Sequence, residues 1–561
     1  MTDLIGIIFD IGGTWIKGAV FYPESAEVLK MERIKSPMPA DDYKTLTQTL
    51  YDFAIKLAAG KKIEIIAVST AGVVDYFGSK VTLCAEHLKP LDDERWVNEL
   101  QEAVGAPVVL CNDSESALIG AALKGYLKGS GNIAFFVAGT GLGFSVWRNG
   151  RRWRPGRAYT LMGALKAGRT FDEVVSVSRL SGGSNEGLTA VLTDEENREK
   201  RDKYFAELAD VLVSAGILFS LDKILFSGGL VRAAEECGFS LKDELAKYLP
   251  ENSPEILFLT EGGELQLQGI ANLAKYDLNA RQYAFSGSFS SRATEQKYAE
   301  KMELQKKSAE ELTEIFWKAE QDAGERLKAN LPAVAKCAEK CAERMKKGGR
   351  LIYVGCGTSG RIAAIDDVEL SCTFGLPDDK SMALISGGIA DSALSIEVDF
   401  EEDASSIPEM LLMNLNKNDI VVGISASSTA YYVRSALSFA SAVGALPVLI
   451  SESLPERTDF FELHIPLNTG PEVISGSTRL KAGTATKKII NMLSSTIMIL
   501  LGKIEECYMI DVACVNEKLK KRAVGILNSL YGWDSEKAEA ELDKHNYKLI
   551  EIIEEERKNR A

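Results

Sequence analysis

Residues 470–487 read GPEVISGSTRLKAGTATK and run into a long apolar segment. Glycine frees backbone N–H groups in this stretch, Ser477 and Thr478 add hydroxyl donors, and Arg479 and Lys481 add cations at the start of a helix. Such a set suits an anionic group like a sugar phosphate. A second candidate lies upstream, where Gly357, Thr358, Ser359, Gly360 and Arg361 follow the apolar run LIYVG and open a helix. Their N–H and hydroxyl groups would hold phosphate against the positive end of the helix.

The opening of the chain offers different chemistry. GIIFDIGGTWIKGAV (6–20) is an apolar strand, an aspartate, a Gly-Gly-Thr turn and a second alternating strand. Gly12, Gly13 and Thr14 allow a close approach to phosphate, and Asp10 can hold a metal-bound water beside it. A plain hairpin also wants glycines. Three further pieces follow at intervals, STAGVVD (69–75), PVVLCNDSESA (107–117) and NIAFFVAGTGLGFSVWRNG (132–150), and then ILFSGGL (224–230).

These loops need a scaffold, and the chain is long enough for two. It has 561 residues, more than one core usually supports. Apolar residues make up 46% and charged residues 26%, as in globular proteins generally. A net charge of −15 argues against nucleic acid and anionic membrane surfaces as partners. The first residues run straight into a strand, so no secretory leader is expected, and the apolar stretch 489–501 is too short to span a bilayer. Nine cysteines without paired metal spacing read as reduced thiols of a cytoplasmic protein.

A composition shift places the join near residue 285. Residues 277–294 are polar and Ser-rich, whereas 295–347 are charged, Ala-rich and helical in apolar spacing. The resulting division is a first domain over 1–280, a linker over 281–295, a second domain over 296–530 and a C-terminal helical cap over 531–561. No internal repeat stands out. The second domain alternates apolar strands (LIYVG, SMALIS, DIVVGIS, LPVLIS) with helices over 359–370, 389–397 and 429–443, the pattern of a parallel sheet covered on both faces.

Both halves carry resemblances. GPEVISGSTRLKAGTATKKIINML, with GGRLIYVGCGTSGRIAAIDDVELSCTFG (348–375), resembles the signatures of the N-acetylmuramic acid 6-phosphate etherases and glucokinase regulatory proteins of the sugar isomerase (SIS) superfamily, over roughly 290–545. The N-terminal pieces resemble the ROK sugar kinases of the actin-like ATPase superfamily, over 1–275. The fold class implied is α/β: an actin-like, ribonuclease H-like kinase domain fused to a SIS-type parallel-sheet domain with a small helical cap.

The ROK resemblance implies ATP and Mg²⁺ as cofactors. Asp10, Gly12, Gly13 and Thr14 match its first phosphate loop, with Asp10 toward the metal. Gly139, Thr140, Gly141 and Gly143 match the second loop, and Gly228 and Gly229 the turn against adenosine. Asp113 matches the residue that takes the proton from the sugar hydroxyl, and Asn112 a sugar ligand. The usual His and Cys-rich zinc segment is replaced by GRAYTLMGALKAGRTF (156–171), so no structural zinc is expected and the sugar is left open.

The SIS resemblance implies that Gly357, Thr358, Ser359, Ser425, Ser427, Ser477, Thr478, Arg479 and Lys481 bind a sugar 6-phosphate, and that Glu369 supplies acid/base chemistry. The family's second acidic segment corresponds to IEVDFEED (396–403), with Glu397 at the first position and Glu401 at the second when one gap is allowed. A homodimer sharing its sites is also implied. The combined expectation is a bifunctional amino-sugar enzyme that phosphorylates N-acetylmuramic acid or a related N-acetyl amino sugar and then cleaves the lactyl ether. A kinase fused to a non-catalytic sugar-phosphate sensor stays open, as does a sugar-phosphate isomerase.

Overall fold

The computed structural model describes the chain apart from residues 1–3, 39–41, 76–78, 85, 129–130, 140, 149–150, 154–164, 167–168, 171–173, 182–184, 286–292, 300–301, 389–404, 453, 512–513, 515 and 561. The chain forms two compact units. Unit 1 holds Met1–Gln282 together with Ile407–Asn414, and unit 2 holds Tyr283–Ser406 and Leu415–Ala561.

Unit 1 contains two five-stranded sheets. The first takes the order β3-β2-β1-β4-β5, with β1 Leu4–Ile11, β2 Trp15–Tyr22, β3 Glu27–Lys35, β4 Lys62–Thr70 and β5 Val108–Asn112. The second takes the order β8-β7-β6-β9-β10, with β6 Ile133–Ala138, β7 Leu142–Arg148, β8 Arg151–Trp153, β9 Lys223–Gly228 and β10 Glu255–Leu259. In each sheet an antiparallel meander of three strands continues into two parallel strands. The two sheets therefore share one topology, a duplication that the sequence does not display. This is the actin-like arrangement.

Parallel pairing brings the chemistry-bearing loops to one edge of each sheet. Asp10 pairs with Ser69, Ser69 with Cys111, and Thr70 with Asn112, so the loops after β1, β4 and β5 emerge together. In the second sheet Gly228 pairs with Ala138, which sets the 139–141 loop beside the Gly228-Gly229 turn. A side chain at Gly228 would strike the Ala138 carbonyl at 2.2 Å, and its φ of 117° also requires glycine.

Helix α1 (Asp113–Leu123) and helix α2 (Gly262–Arg281) pack backbone to backbone in unit 1. A Cβ on Gly120 would lie 1.9 Å from the Leu265 carbonyl oxygen, and one on Gly269 would lie 1.8 Å from that of Ser116. These two glycines fix the axis of α1 against α2.

Unit 2 is a doubly wound sheet in the order β12-β11-β13-β14-β15, all strands parallel, with β11 Leu351–Gly355, β12 Ser381–Ile385, β13 Ile420–Ile424, β14 Leu446–Ser451 and β15 Leu463–Pro466. Every residue of β11, β13 and β14 is buried, as continuous apolar strands between helix layers must be. Helix α3 (Gly357–Phe374), helix α4 (Tyr431–Ala442) and helix α5 (Lys481–Leu500) supply the surrounding layers, with helices Ala309–Arg326 and Leu331–Lys346. The helical stretch read over 295–347 is thus two helices joined by a short 3-10 turn, Leu327–Asn330. The helix expected over 389–397 lies outside the described residues. Helices Glu517–Tyr531, Ser535–Lys544 and Leu549–Arg560 gather around Ile510, Leu527, Leu542 and Ile553 in a separate small core.

The nine cysteines are all free thiols. No helix among the described residues is long and apolar enough to cross a membrane.

Candidate functional site

In unit 2 the strand order reverses between β11 and β13. Such a switch point leaves a crevice at the carboxyl ends of the strands, where ligands bind. A cavity of about 210 Å³ lies there, and its wall includes Thr358 and Ser359 after β11, Ser425, Ser427 and Thr429 after β13, and Gly476 and Thr478 before α5. Three loops far apart in sequence thus converge on one space.

Local structure explains each loop. Gly355 and Gly360 touch through their backbones, since a Cβ on Gly355 would meet the Gly360 nitrogen at 2.7 Å. That contact folds the end of β11 tightly into α3. In the second loop Ser428 takes a left-handed φ of 57° and its carbonyl accepts from Arg434 Nε at 2.7 Å, while the Ser427 and Thr429 hydroxyls lie 2.7 Å apart. The third loop closes when Thr478 accepts the Gly483 N–H at 2.9 Å through its carbonyl.

The cations sit elsewhere. Lys481 is 2% exposed, donates to the Thr469 carbonyl at 2.8 Å and does not line the cavity; burial lowers its pKa. Arg479 is exposed, and neither it nor Ser477 lines the cavity. The first N–H groups of α5 are also occupied. The buried Glu472 accepts from the Lys481 and Ala482 backbone at 3.1 and 2.9 Å, so the helix end carries its own carboxylate. Gly357 is the first residue of α3, with a left-handed φ of 53°, and is not on the cavity wall, whereas Thr358 and Ser359 are. Among the described residues the side chains on the wall are hydroxyls, the Cys356 thiol, Ile424 and several alanines, and one carboxylate.

That carboxylate is Glu295, which lies within the stretch read as linker. Gly476 donates its N–H to the Thr294 carbonyl at 2.9 Å, and Ser475 Oγ donates to the Glu295 carbonyl at 2.9 Å, which pins the segment over the third loop. A Cβ on Gly476 would lie 3.2 Å from Glu295 Oε2. No local signal marks this residue, because its place depends on a segment 180 residues downstream.

Glu369 lies on the exposed side of α3 and is not on the cavity wall. The helix runs unbroken from Gly357 to Phe374. At 1.5 Å per residue Glu369 lies about 15 Å along the axis from Ser359, beyond reach of a sugar held by the same chain's loops. Glu397 and Glu401 lie outside the described residues.

In unit 1, Asp10 stands at the end of β1. Lys17 pairs with its Oδ2 at 2.6 Å, and Gln266 on α2 donates to its Oδ1 and to Ser69 Oγ, each at 2.8 Å. Lys17 and Gln266 escaped the sequence reading. The hairpin register does foreshadow the first, since a Gly12-to-Trp15 turn sets Asp10 opposite Lys17.

Asp113 is the first residue of α1, capped by Asn112. The Asn112 side-chain oxygen accepts from the Ser114 and Glu115 N–H groups at 3.0 and 3.2 Å, and its amide donates to the Gly72 carbonyl at 2.7 Å. Asn112 is thus engaged in holding the helix start and the 69–75 loop. Desolvation pushes the Asp113 carboxyl up to about 7, with the charge of Asp10 adding to the effect and the Ser114 N–H opposing it. Gly143 leaves room beside it, since a Cβ there would approach Asp113 Oδ1 to 3.3 Å. A carboxylate poised near neutrality is suited to general-base work.

Thr14 is exposed on the turn after β1, and Gly12 closes that turn by donating to the Trp15 carbonyl at 3.1 Å. Gly139 donates to the Gly141 carbonyl at 2.8 Å. Thr140 and most of 156–171 lie outside the described residues. Among the described residues no group of three His, Cys, Asp or Glu side chains is placed to hold a metal. A single carboxylate such as Asp10 fits Mg²⁺, which takes its remaining ligands from water and phosphate.

Comparisons with known proteins find matches for both halves of the chain. Residues 5–168 match the ROK family, and residues 333–441 match the glucokinase regulatory protein N-terminal SIS domain. An N-acetylmuramic acid 6-phosphate etherase from Gloeobacter violaceus is 39% identical over 241 residues, 42% of this chain and 78% of the relative. The enzyme of that name from Prochlorococcus marinus is 38% identical over 257 residues, covering 45% and 82%. Among solved structures, a ROK family glucokinase from Streptomyces griseus in complex with glucose and AMPPNP aligns at 20% identity and a TM-score of 0.39, covering 48% of this chain and 99% of that one. The chain belongs to the N-acetylmuramic acid 6-phosphate etherase family and carries a ROK-family domain at its N-terminal end.

Proposed function

We propose that the protein phosphorylates N-acetylmuramic acid, or a related N-acetyl amino sugar, at O6 with ATP, and then cleaves the lactyl ether to give N-acetylglucosamine 6-phosphate and D-lactate. The observation that carries this reading is the convergence of Thr358, Ser359, Ser425, Ser427 and Thr478 on one cavity at the switch point of unit 2. The family membership supports the ether-cleaving step, and the ROK domain supports the kinase step.

In unit 1, Asp113 would take the proton from the sugar hydroxyl while the loops at 12–14, 139–141 and 228–229 cradle ATP. Asp10 would hold Mg²⁺, which neutralises charge on the transferring phosphoryl group. In unit 2, the hydroxyls and N–H groups would bind the 6-phosphate. Proton removal next to the sugar aldehyde and departure of lactate from the neighbouring carbon need a base and an acid, and water then adds across the resulting double bond to give N-acetylglucosamine 6-phosphate.

The acid/base role of Glu369 then calls for a second copy of the chain. Ile365 and Val368, 57% and 63% exposed, share its helix face with Cys372, and an exposed apolar stripe of this kind fits a homodimer. The reaction belongs in the cytoplasm, where ATP is available.

A second reading has its own observation. Glu369 is absent from the cavity of its own chain, which suits a unit that binds sugar phosphate without turning it over. One experiment separates the two. N-acetylmuramic acid, ATP and Mg²⁺ are incubated with the protein, and ADP, sugar phosphate and D-lactate are measured. All three products support the proposal. ADP and sugar phosphate without lactate leave only the kinase and favour the regulatory reading.

A further inference from the structure

The residues Ile407–Asn414 lie within the stretch that matches the SIS domain but belong to unit 1. Their flanks do not: Ser406 donates its N–H to Ser435 Oγ at 3.0 Å, and Asp419 binds Arg350, both within unit 2. The short helix Ile407–Leu412 packs on α1, α2 and β8. All six of its residues are buried, and Asn414 ends the segment with a left-handed φ of 47°. Six residues cannot sustain a helix alone, so this one exists through its packing.

A charged cluster lies beside it. Arg152 on β8 has a side chain only 4% exposed and places Nε 2.5 Å from Glu115 Oε1 on α1. Glu409, 6% exposed, comes from the short helix, and the Arg152 charge acts on it as on Glu115. Burial pushes both carboxyls upward, Arg152 pulls them down, and the Cys111 thiol on β5 feels Glu115 and Arg152 as well. Removing Arg152 would strand both buried carboxyls without compensation.

The location of the cluster gives it a function. Glu115 lies in the first turn of α1, two residues from Asp113. Gly120 and Gly269 lock the body of α1 against α2, and its first turn is held by Asn112, by Ser145 Oγ donating to the Ser114 carbonyl at 2.8 Å, and by the Arg152–Glu115 pair. We propose that the Ile407–Leu412 helix, through Glu409, is a positioning element for Asp113, so that a segment of the etherase-like half of the sequence completes the kinase site. The catalytic part of this inference rests on the kinase reading above, and the structural part does not.

The test uses the full chain with Glu409→Ala, Leu411→Ala and the conservative Glu409→Gln. Hydrogen exchange of the amides in 113–123 is followed beside that of 407–412 and 420–424. Loss of Glu409 or of the Leu411 side chain should speed exchange of the first turn of α1 together with 407–412 by about tenfold or more, with 420–424 unchanged. In phosphorylation assays the two alanine variants should lose about tenfold in kcat with little change in KM for ATP, and Glu409→Gln should retain the rate. A wild-type protein with no kinase activity refutes the kinase reading, while the exchange result still decides whether the helix positions α1. Faster exchange at 407–412 with α1 and kcat unaltered overturns the proposal. If Glu409→Ala fails to fold, the milder Leu411→Ala carries the same measurement.

Discussion

Asp113→Asn is the perturbation with the sharpest consequences, because it touches both rate and stability. The carboxyl is raised from 3.8 to about 7. As a general base it works when deprotonated, so wild-type kcat/KM for phosphorylation should rise about tenfold per pH unit below 7 and level off above it. The asparagine cannot accept a proton, and a general base contributes about 10²–10⁴-fold. Stability runs the other way. The folded state holds this proton to a higher pH than the unfolded state, so the contribution is complete below 3.8 and declines as pH rises to about 7.

A shift of about three units corresponds to about 4 kcal/mol, and partial solvent access reduces it to about 2 kcal/mol. Asp113→Asn should therefore be more stable than wild type at pH 8 by about 2 kcal/mol, with the gap narrowing by about half at pH 5.5. Phosphorylation is followed by ADP release between pH 5.5 and 8.5, and stability by hydrogen exchange of the α1 amides at both ends of that range. A flat pH profile, or an asparagine variant within tenfold of the wild-type rate, would refute the reasoning.

Other expectations concern separate elements. Thr358→Val and Ser427→Ala should each weaken sugar 6-phosphate binding by about ten- to a hundredfold, the loss of one hydrogen bond to a charged group, as read by calorimetry; unaltered affinity would remove these hydroxyls from the site. Lys481→Met should cost stability and leave phosphate affinity within a few-fold, since its ammonium is spent on the Thr469 carbonyl; a large affinity loss in a folded variant would return it to the ligand set. Gly120→Ala should destabilise unit 1 by several kcal/mol, about what an overpacked helix contact costs, because its Cβ would sit 1.9 Å from the Leu265 oxygen; an unchanged unfolding midpoint would contradict the backbone contact. Glu369→Gln and Ser359→Ala, each inactive in lactate release, should regain part of it when co-assembled, because a mixed dimer contains one intact shared site. Absence of complementation despite proven subunit exchange would place the chemistry within one chain.

Much of the scaffold could be read locally. The strand at 446–451 is buried in every residue and apolar in all but Ser451, and Gly357 to Gly360 open a helix directly after a buried strand, because backbone conformation and burial leave period and glycine marks in a short window. The strand-loop-strand order of the N-terminal pieces was legible for the same reason. The SIS cations misled because a lysine two residues after an arginine reads alike whether its ammonium meets a ligand or a carbonyl. Here a buried carbonyl at Thr469 needed a donor, and Lys481 was within reach.

Tertiary structure alone decided the rest. The duplicated sheet topology of unit 1 is written in strand order and hydrogen-bond register, not in repeated residues. Glu295 reaches the cavity because Ser475 binds its carbonyl and Gly476 that of Thr294 from far along the chain. Glu409 lies within reach of the Arg152 charge in unit 1 although the chain on both sides of 407–414 belongs to unit 2. In each case the partner is chosen by which buried polar group lacks compensation and which surfaces fit, and those are properties of the folded chain. The amino-acid order sets which elements form and which loops can hold phosphate, while long-range packing assigns each charged side chain to a ligand, to a helix end or to the interior.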